Sequence, residues 1–537
     1  MKKYLLFLIV LPVLTACLDE HPKGQLTEEE AYGSATSLYI NTISTLYNYI
    51  GGNEESQGLQ GTYRGVYDYN TFTTDEAMLP TRGGDWYDGG FWQGLYLHQW
   101  SAADLPLYAT WTYLYKVVGL CNHSLALLEQ YRSLLTAREL QVCQAEVRSI
   151  RALYYYYLMD LFGNVPLCTT YISSTDQVTQ SGRGTVFRFV VSELEAALPF
   201  LYPQESQREG YYYGKLTLPV AYFLLAKLAL NAEVYSDDNW TDGQRPDGKN
   251  IFFEVDGQRL NAWETTVAYC EKLGAFGYRL ETNYTTNFAI GNENSCENIF
   301  TIPMDKTLYT NWFRNLFRSR HYNHGAALGM DAENGTSATR STVRTFGYGT
   351  PDIDARYRCN FYSDTLLVDG KNVYLDNGEA LVYRPLEVRL DLTGSPYEKT
   401  AGARMSKYEI DRTAYNDGWL QSNDIVLFRY GDALLMAAEA KVRNGQDGSY
   451  ELNLVRRRAG MPDREATLNT LLDERLMELM WEGWRRQDLI RFGRFTTAYD
   501  ERPQLPDEAS GYTTVFPIPS KVLDLNKNLH QNPGYEN

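Results

Sequence analysis

AEVRSIRALYYYYLMDLFG, residues 145–163, carries the clearest local signal in this 537-residue chain. Its apolar residues recur at spacings of three and four, which places them on one continuous face of a helix. Gly163 ends the pattern, and Pro166 prevents the helix from resuming. The stretch therefore predicts an amphipathic helix whose face consists of Ile150, Leu153, Tyr154, Tyr157, Leu158 and Leu161.

Three further segments have the same helical period. One begins near Pro219 and continues as LLAKLALNAEVY, residues 224–235; another runs from Gly431 through LLMAAEAKVRNG, residues 434–445. Their similar alanine-rich faces permit close helix approach and suggest helix-pair repeats, although no regular 34-residue period is present. The last segment, residues 471–492, predicts a single helix with Leu472, Leu476, Leu479 and Met480 on one stripe and Glu474, Arg475, Glu478 and Glu482 opposite.

Between these helices lie long stretches without helical period, residues 50–95, 236–262 and 303–425. They are rich in Gly, Asn, Asp and aromatic residues, and loops of this length inside a compact chain are usually functional. Residues 298–303 and 424–430 are β-prone and predict small sheets. No alternation of strand and helix indicates a doubly wound fold, so the fold class is mostly α with minor β.

Composition narrows the functional classes. The chain has 44% hydrophobic and 22% charged residues, both near globular averages. Its 67 acidic residues outnumber 50 basic ones, and such a field repels phosphate backbones, which excludes sequence-independent nucleic-acid binding. Tyrosine supplies 43 of the aromatic residues, and its ring has an apolar face with a polar tip that suits wet binding surfaces.

The N-terminal residues have the pattern of a targeting segment. Basic Lys2 and Lys3 precede an apolar run over residues 4–14, typical of a signal peptide of residues 1–16. The sequence LTAC, ending at Cys17, resembles the lipobox of bacterial lipoproteins and predicts Cys17 as the lipidated first residue of a tether, residues 17–26. No later run reaches 18 apolar residues, so we expect an anchored protein; an ordinary signal peptide with a coincidental cysteine is the alternative.

The sequence gives only weak indications of disulfide bonds, a metal site or a calcium site. The six remaining cysteines lack CxxC spacing and are expected to be buried thiols, with oxidation of a pair left open. His321 and His324 are expected to be solvated loop residues, so no metal site is assigned and no cofactor is required. Asp237, Asp238, Asn239 and Asp242 form an oxygen-rich cluster that leaves calcium as an alternative, although the spacing fails the EF-hand pattern.

Residues 75–92, DEAMLPTRGGDWYDGGFW, contain the most suggestive group of polar and aromatic side chains. Glycines let a loop turn and expose its neighbours, aromatic rings offer flat faces to a sugar, and Arg and Asp can bridge adjacent hydroxyls. We therefore predict a glycan platform, with a loop that buries its aromatics in its own core as the alternative. The predicted contacts are Arg82, Asp85, Trp86, Tyr87 and Trp92, faced by a second cluster with Tyr309, Trp312 and Tyr322.

Several motifs in order resemble the SusD/RagB family of Bacteroidetes outer-membrane nutrient-binding lipoproteins. Besides the lipobox, EVRSIRALYYY (146–156) with FGNVPL (162–167) is similar to the family's N-terminal helical signature and the turn after it. DIVLFRYGDALLMAAE (424–439), NLVRRRAG (453–460) and ERLMELMWEGWRRQDL (474–489) resemble later signatures. FPIP (516–519) and QNPGY (531–535) resemble the family's ending, so the resemblance covers residues 17–535.

The resemblance implies a helical scaffold with tetratricopeptide-like helix pairs on one side and irregular ligand-binding loops on the other. It implies an N-terminal region, residues 27–235, and a C-terminal region, residues 270–537, that form one structural unit. It also implies a partner, a SusC-like TonB-dependent transporter, and an outer-membrane location facing the cell exterior. Arg475, Glu478 and Asp488 are then structural ion-pair residues and not catalysts.

The predicted function is non-catalytic capture of oligosaccharides and their delivery to the transporter. Three alternatives remain open at this point: a peptide-capturing lipoprotein of the same fold, a glycoside hydrolase, and a mainly structural role in the transporter complex. A hydrolase stays open because two catalytic carboxylates can converge from distant positions in the sequence.

Overall fold

A computed structural model describes residues 27–171, 178–415 and 418–535. The longer helices are α1 (Leu105–Gln130), α2 (Ala137–Phe162), α3 (Arg183–Ala197), α4 (Leu218–Leu230), α5 (Ala262–Ala275), α6 (Tyr430–Arg443), α7 (Ser449–Arg458), α8 (Leu468–Leu479) and α9 (Arg485–Arg491). Shorter helices include Glu28–Tyr32, Ala35–Tyr39, Val66–Thr71, Phe91–Tyr96, Ala232–Tyr235, Arg314–Ser319, Tyr322–Leu328, Arg340–Thr345 and Ser520–Leu525. The predicted signal peptide, Cys17 and the tether lie outside the described residues.

The longer helices pack in sequence order. Helix α2 lies between α1 and α3, α5 lies between α4 and α6, and α6 also contacts α7 and α8. The chain is thus mostly helical, as predicted, and buried apolar residues of both predicted regions share a common core. No helix in the described ranges has the length and apolar character needed to cross a membrane.

Helix α2 contains residues 145–163, whose apolar period predicts a helix. It begins eight residues before the predicted start, after a capping box in which Thr136 and Glu139 satisfy each other's backbone N–H groups. Its four consecutive tyrosines, Tyr154 to Tyr157, are all buried because neighbouring helices cover more than one face. The helix ends at Gly163, whose φ of 66° favours glycine.

The prediction of one helix over residues 471–492 is wrong. The chain breaks between α8 and α9, where Trp481 has a φ of 68° and Gly483 a φ of 75°. Both conformations leave the right-handed helical region, and an apolar period alone does not reveal such a break. A shorter break at Asn231 likewise divides the helix predicted through residue 235.

A buried ionic network occupies the face of α8 opposite its apolar stripe. Glu478, with no exposed surface, pairs with Arg356 at 2.8 Å, with Arg429 at 2.6 Å and also with Arg458. Arg475 pairs with Asp432 at 2.9 Å and with Asp488 at 2.8 Å. Buried charges are tolerated when they are paired in this way, so the prediction that Arg475, Glu478 and Asp488 are structural ion-pair residues is confirmed.

Strand β1 (Asn298–Ile302) pairs antiparallel with β2 (Ile425–Arg429), with Ile302 opposite Ile425, as the β-prone segments predicted. This pairing brings together the two ends of the long irregular stretch that contains residues 303–424. Two-residue strand pairs reinforce this region and its surroundings, for example Ala77–Met78 with Ser337–Ala338 and Phe361–Tyr362 with Arg404–Met405. The long loops are therefore held against the scaffold.

Candidate ligand-binding site

Three loops meet through backbone hydrogen bonds. The N–H of Trp312 donates to the carbonyl of Gly52 at 2.8 Å, and the N–H of Phe313 donates to the carbonyl of Trp419 at 2.9 Å. The N–H of Arg314 donates to the carbonyl of Gly61 at 3.0 Å. Gly61 has a φ of 92°, and a Cβ there would lie 2.3 Å from the Trp312 carbonyl oxygen, so only glycine permits this approach.

The loops present an aromatic face, which we define as Trp86, Trp312, Trp419 and the guanidinium of Arg314. The rings of Trp312 and Trp419 have centroids 5.0 Å apart and planes inclined at 61°. The Arg314 guanidinium carbon lies 3.8 Å from the Trp419 centroid and 5.3 Å from that of Trp312. All three tryptophans are partly exposed, so their rings can meet a ligand with apolar faces.

Glu333 joins the two predicted clusters. Its carboxylate pairs with Arg314 at 3.0 Å and accepts a hydrogen bond from the hydroxyl of Tyr63. Its backbone carbonyl accepts from the indole N–H of Trp86 at 2.9 Å. The ring of Tyr63 lies 3.6 Å from the Arg314 guanidinium carbon, so the cation is enclosed by Tyr63 and Trp419. Several contacts thus fix the rings before any ligand binds.

Asp85 and Tyr322 form a second bridge between the clusters. The hydroxyl of Tyr322 donates to the Asp85 carboxylate at 2.7 Å, and the Lys399 ammonium lies 2.8 Å from the same oxygen. The hydrogen bonds from Lys399 and Tyr322 lower the pKa of Asp85. Tyr87 and Tyr322 are 60% and 40% exposed at the rim, so their rings are open to solvent. The structure therefore brings the two predicted clusters together.

The predicted ligand contact by Arg82 is wrong. This side chain has no exposed surface, and it donates to the Ser337 hydroxyl at 2.7 Å and the Ala401 carbonyl at 3.0 Å. Burial lowers the pKa of Arg82 well below its ordinary value. The residue fixes the base of the loop instead of facing solvent.

The predicted ligand contact by Trp92 is also wrong, because none of its surface is exposed. Its ring packs against Trp86, with centroids 6.1 Å apart, and its indole N–H donates to Asp88 at 2.7 Å. The alternative of a loop that buries its own aromatics thus holds for Trp92, while Tyr87 beside it is exposed. Trp92 supports Trp86 from below.

Tyr309 lies in a turn that precedes Trp312. Its N–H donates to the carbonyl of Asp305 at 2.9 Å, and its side chain is 39% exposed. Tyr415 stands on the loop of Trp419, paired through its backbone with Leu420, and is 53% exposed. Both rings are available to extend the aromatic face.

Sequence reasoning missed Arg314, Trp419, Tyr63 and Glu333. Gly418-Trp419 carries the same signal as Asp85-Trp86, a tryptophan in a loop rich in glycine and acidic or amide residues, and this signal identifies Trp419. Nothing local distinguishes Tyr63 or Glu333, because their roles depend on contacts across more than 250 residues.

The histidine prediction needs correction. His321 and His324 are not solvated, being only 4% and 1% exposed. The Nδ1 of His324 lies 3.1 Å from the Tyr383 hydroxyl. Burial, together with nearby Arg404 and Arg82, lowers the pKa of His321 to about 4. Within the described ranges no group of three or more His, Cys, Asp or Glu residues is arranged to hold a metal ion.

The oxygen-rich cluster near residue 240 serves the backbone. Asp237 accepts from the N–H of Asn239 at 2.9 Å, Asp238 from that of Gly184 at 2.7 Å, and Asp242 from that of Gln244 at 2.8 Å. The bonds of Asp237 and Asp242 are typical of Asx turns, while that of Asp238 joins this segment to the start of helix α3. The six described cysteines are free thiols; four are buried, as expected, and Cys168 and Cys359 are partly buried.

The fold is a helical scaffold with irregular loops, and these loops present the aromatic face. A family model described as "SusD family" matches residues 296–535, and one described as "Starch-binding associating with outer membrane" matches residues 36–230. The chain belongs to the SusD family.

Known proteins extend the similarity over nearly the whole chain. The chain is 24% identical to the starch-binding protein SusD of Bacteroides thetaiotaomicron, covering 90% of this chain and 87% of that one. It is 22% identical to a SusD-like protein of Bacteroides ovatus, over 95% and 85% of the two chains.

Solved structures share the fold. A surface glycan-binding protein A of B. thetaiotaomicron, in complex with laminarihexaose, superposes with a TM-score of 0.71 at 19% identity, over 93% of this chain and 99% of that one. A laminarin-binding SusD-like protein has a TM-score of 0.68 at 18% identity, over 94% and 100% of the two chains.

Proposed function

We propose that this protein is a non-catalytic lipoprotein of the outer membrane that captures oligosaccharides on the aromatic face. It passes them to a SusC-like TonB-dependent transporter. Cys17 is the lipidated residue, and the helical scaffold faces the transporter. The matched family description and the names of the relatives, which refer to starch, laminarin and the outer membrane, support this assignment.

The observation that carries the proposal is the inclined pair of Trp312 and Trp419 around Arg314. Sugar rings present C–H surfaces that pack on aromatic rings, while their hydroxyls need hydrogen-bonding groups at the edge. Asp85 and Tyr322 supply such groups at the rim. Each ring contributes about 1 kcal/mol, so several rings together with charge-assisted hydrogen bonds are needed for micromolar affinity.

Asp85 does not have the state expected of the general acid of a glycosidase. A glycosidase needs one carboxylic acid whose pKa is raised so that it can protonate the leaving group. The pKa of Asp85 is instead lowered by Lys399 and Tyr322. Glu333 is committed to Arg314 and Tyr63, which makes it a positioning group.

Isothermal calorimetry of residues 18–537 against plant, host and microbial polysaccharides tests the proposal, with reducing-end release measured in the same samples. Saturable binding without release is the expected result. Release that disappears when paired acids are removed would establish a hydrolase. Binding of peptides alone would establish peptide capture. Failure of every ligand, combined with loss of transporter assembly in cells lacking this protein, would indicate a structural role.

A further inference from the structure

We propose that the aromatic face selects uncharged oligosaccharides and rejects glycans that carry uronate or sulfate groups. This inference rests on the proposed function and specifies its substrate class. Recognition of an anionic sugar requires a cation that is free to pair with the added charge. The ion pairs around the face decide whether such a cation is available.

Each cation bordering the face already holds a carboxylate. Arg64 pairs with Glu55 and with Asp88, both at 2.7 Å. Arg314 pairs with Glu333 at 3.0 Å. An anionic ligand would have to displace these internal partners.

Lys399 and Lys306 are also paired with carboxylates. Lys399 lies 2.8 Å from Asp85, and Lys306, on the segment before Tyr309, lies 3.2 Å from Asp411. None of these four cations is therefore free to attract a uronate or a sulfate.

Carboxylates are also in excess beside the rings. Five of them, Glu55, Asp85, Asp88, Glu333 and Asp411, stand against four cations, Arg64, Arg314, Lys399 and Lys306. The whole chain has a formal charge of −17. An approaching anion therefore meets repulsion both at long range and at the face itself.

Two buried arginines nearby are not available to pair with an anionic ligand. Arg82 and Arg404 have no exposed surface. Arg82 donates to the Glu398 carbonyl at 2.9 Å, and Arg404 donates to the Ser319 carbonyl at 3.1 Å. Their guanidinium groups are committed to the backbone and cannot reach a ligand on the face.

The hydrogen-bonding groups that remain are neutral. The exposed rings of Tyr309 and Tyr415 carry hydroxyls that both donate and accept. These groups match the hydroxyls of an uncharged sugar, which supply donors and acceptors without charge.

Matched polysaccharides provide the test. Amylopectin, laminarin and β-1,4-mannan serve as neutral probes, and the C6-oxidised form of each carries uronates on the same backbone. We expect at least one neutral probe to bind and its oxidised form to bind at least tenfold more weakly. We also expect neutral affinity to change less than twofold between 20 and 500 mM NaCl, since no ion pair forms with the ligand.

Freeing a cation should reverse the selection. In a Glu55→Gln/Asp88→Asn variant Arg64 loses both carboxylates, while the amide oxygen introduced at position 88 can still accept the Trp92 indole N–H, so the ratio of oxidised-probe to neutral-probe affinity should rise at least fivefold. Asp463→Asn is the matched control, because it frees Arg457 from an exposed pair on helix α7. That control should leave both affinities unchanged.

The outcomes separate the inference from the function beneath it. Equal or tighter binding of oxidised or naturally sulfated polysaccharides would overturn the selection for uncharged glycans and leave glycan capture intact. Absence of binding to every neutral and every charged polysaccharide would overturn glycan capture, and the inference with it. Unchanged discrimination in the Glu55→Gln/Asp88→Asn variant would contradict the role assigned to these carboxylates.

Discussion

The guanidinium carbon of Arg314 lies 3.8 Å from the ring centroid of Trp419, with Tyr63 on its other side at 3.6 Å. A cation at this distance from an aromatic face is held electrostatically by the ring. Glu333 fixes the same cation at 3.0 Å. Arg314 is therefore a positioning residue, and the orientation of Trp419 depends on it.

Replacing Arg314 tests this arrangement. Each cation–π contact contributes about 0.5–2 kcal/mol, so Arg314→Ala should weaken glycan binding about tenfold by releasing Trp419. Arg314→Lys keeps the charge but loses the flat guanidinium, and it should fall between the alanine variant and the wild type. Calorimetry gives the affinities, with Arg457→Ala as an exposed control. Wild-type affinity in Arg314→Ala would contradict the positioning role.

Gly335 should be intolerant of a side chain. A Cβ there would lie 2.7 Å from the ring of Trp86 and 2.8 Å from Leu79. Overpacking of this kind costs about 1–3 kcal/mol, so Gly335→Ala should lower the free energy of unfolding and displace Trp86. Gly84→Ala is the control, since a Cβ at Gly84 meets nothing within 4 Å. Equal unfolding free energies in the two variants would show that Trp86 is free to move.

The buried pair of Asp432 and Lys227, 2.8 Å apart, predicts a pH-dependent stability. Burial alone would raise the pKa of Asp432, but Lys227 and Arg475 lower it to about 2. Its folded pKa thus lies below the unfolded value of about 3.9, so its contribution is complete above pH 4 and is lost as the pH falls towards 2.

Asp432→Asn should therefore lower the free energy of unfolding by about 3–5 kcal/mol at pH 7, because buried Lys227 loses its carboxylate partner and buried Arg475 loses one of its two. Urea denaturation between pH 7 and pH 3 should show the difference from wild type shrinking at the acid end. Asp463→Asn, in an exposed pair, should show no such trend. A difference that is constant across this range would contradict the assigned pKa.

Cys17 is predicted to carry the lipid anchor. Cys17→Ser should abolish incorporation of labelled fatty acid and move the protein from the membrane fraction to the soluble fraction, because one acylated residue is the expected attachment. Cys359→Ser should retain the label. Labelling that persists in Cys17→Ser would place the modification elsewhere.

The helical scaffold could be predicted from the sequence because the patterns that indicate its elements lie within short segments. The period of three and four in residues 145–163 and the β-prone segments 298–303 and 424–430 correspond to elements of the structure. The break at Trp481 could not be predicted from the sequence. Its positive φ accompanies contacts with distant residues, such as the hydrogen bond from its N–H to Glu76. That contact joins residues 405 positions apart.

Only part of the candidate site could be predicted from the sequence, because the rest depends on contacts between residues that are far apart in the chain. Trp86, Trp312 and Tyr322 could be selected as aromatics on glycine-rich or irregular loops, and the structure connects their loops through Asp85, Glu333 and Arg314. Composition cannot distinguish exposed Tyr87 from buried Trp92, five residues later, because burial depends on what packs over each ring.

The most direct test of the central claim is calorimetry of Trp312→Ala, Trp419→Ala and the double variant against the polysaccharide that binds the wild type most tightly. At about 1 kcal/mol per ring, each single variant should bind about fivefold more weakly. The double variant should bind about 25-fold more weakly while remaining folded. Wild-type affinity in a folded double variant would contradict the assignment of this face as the glycan site.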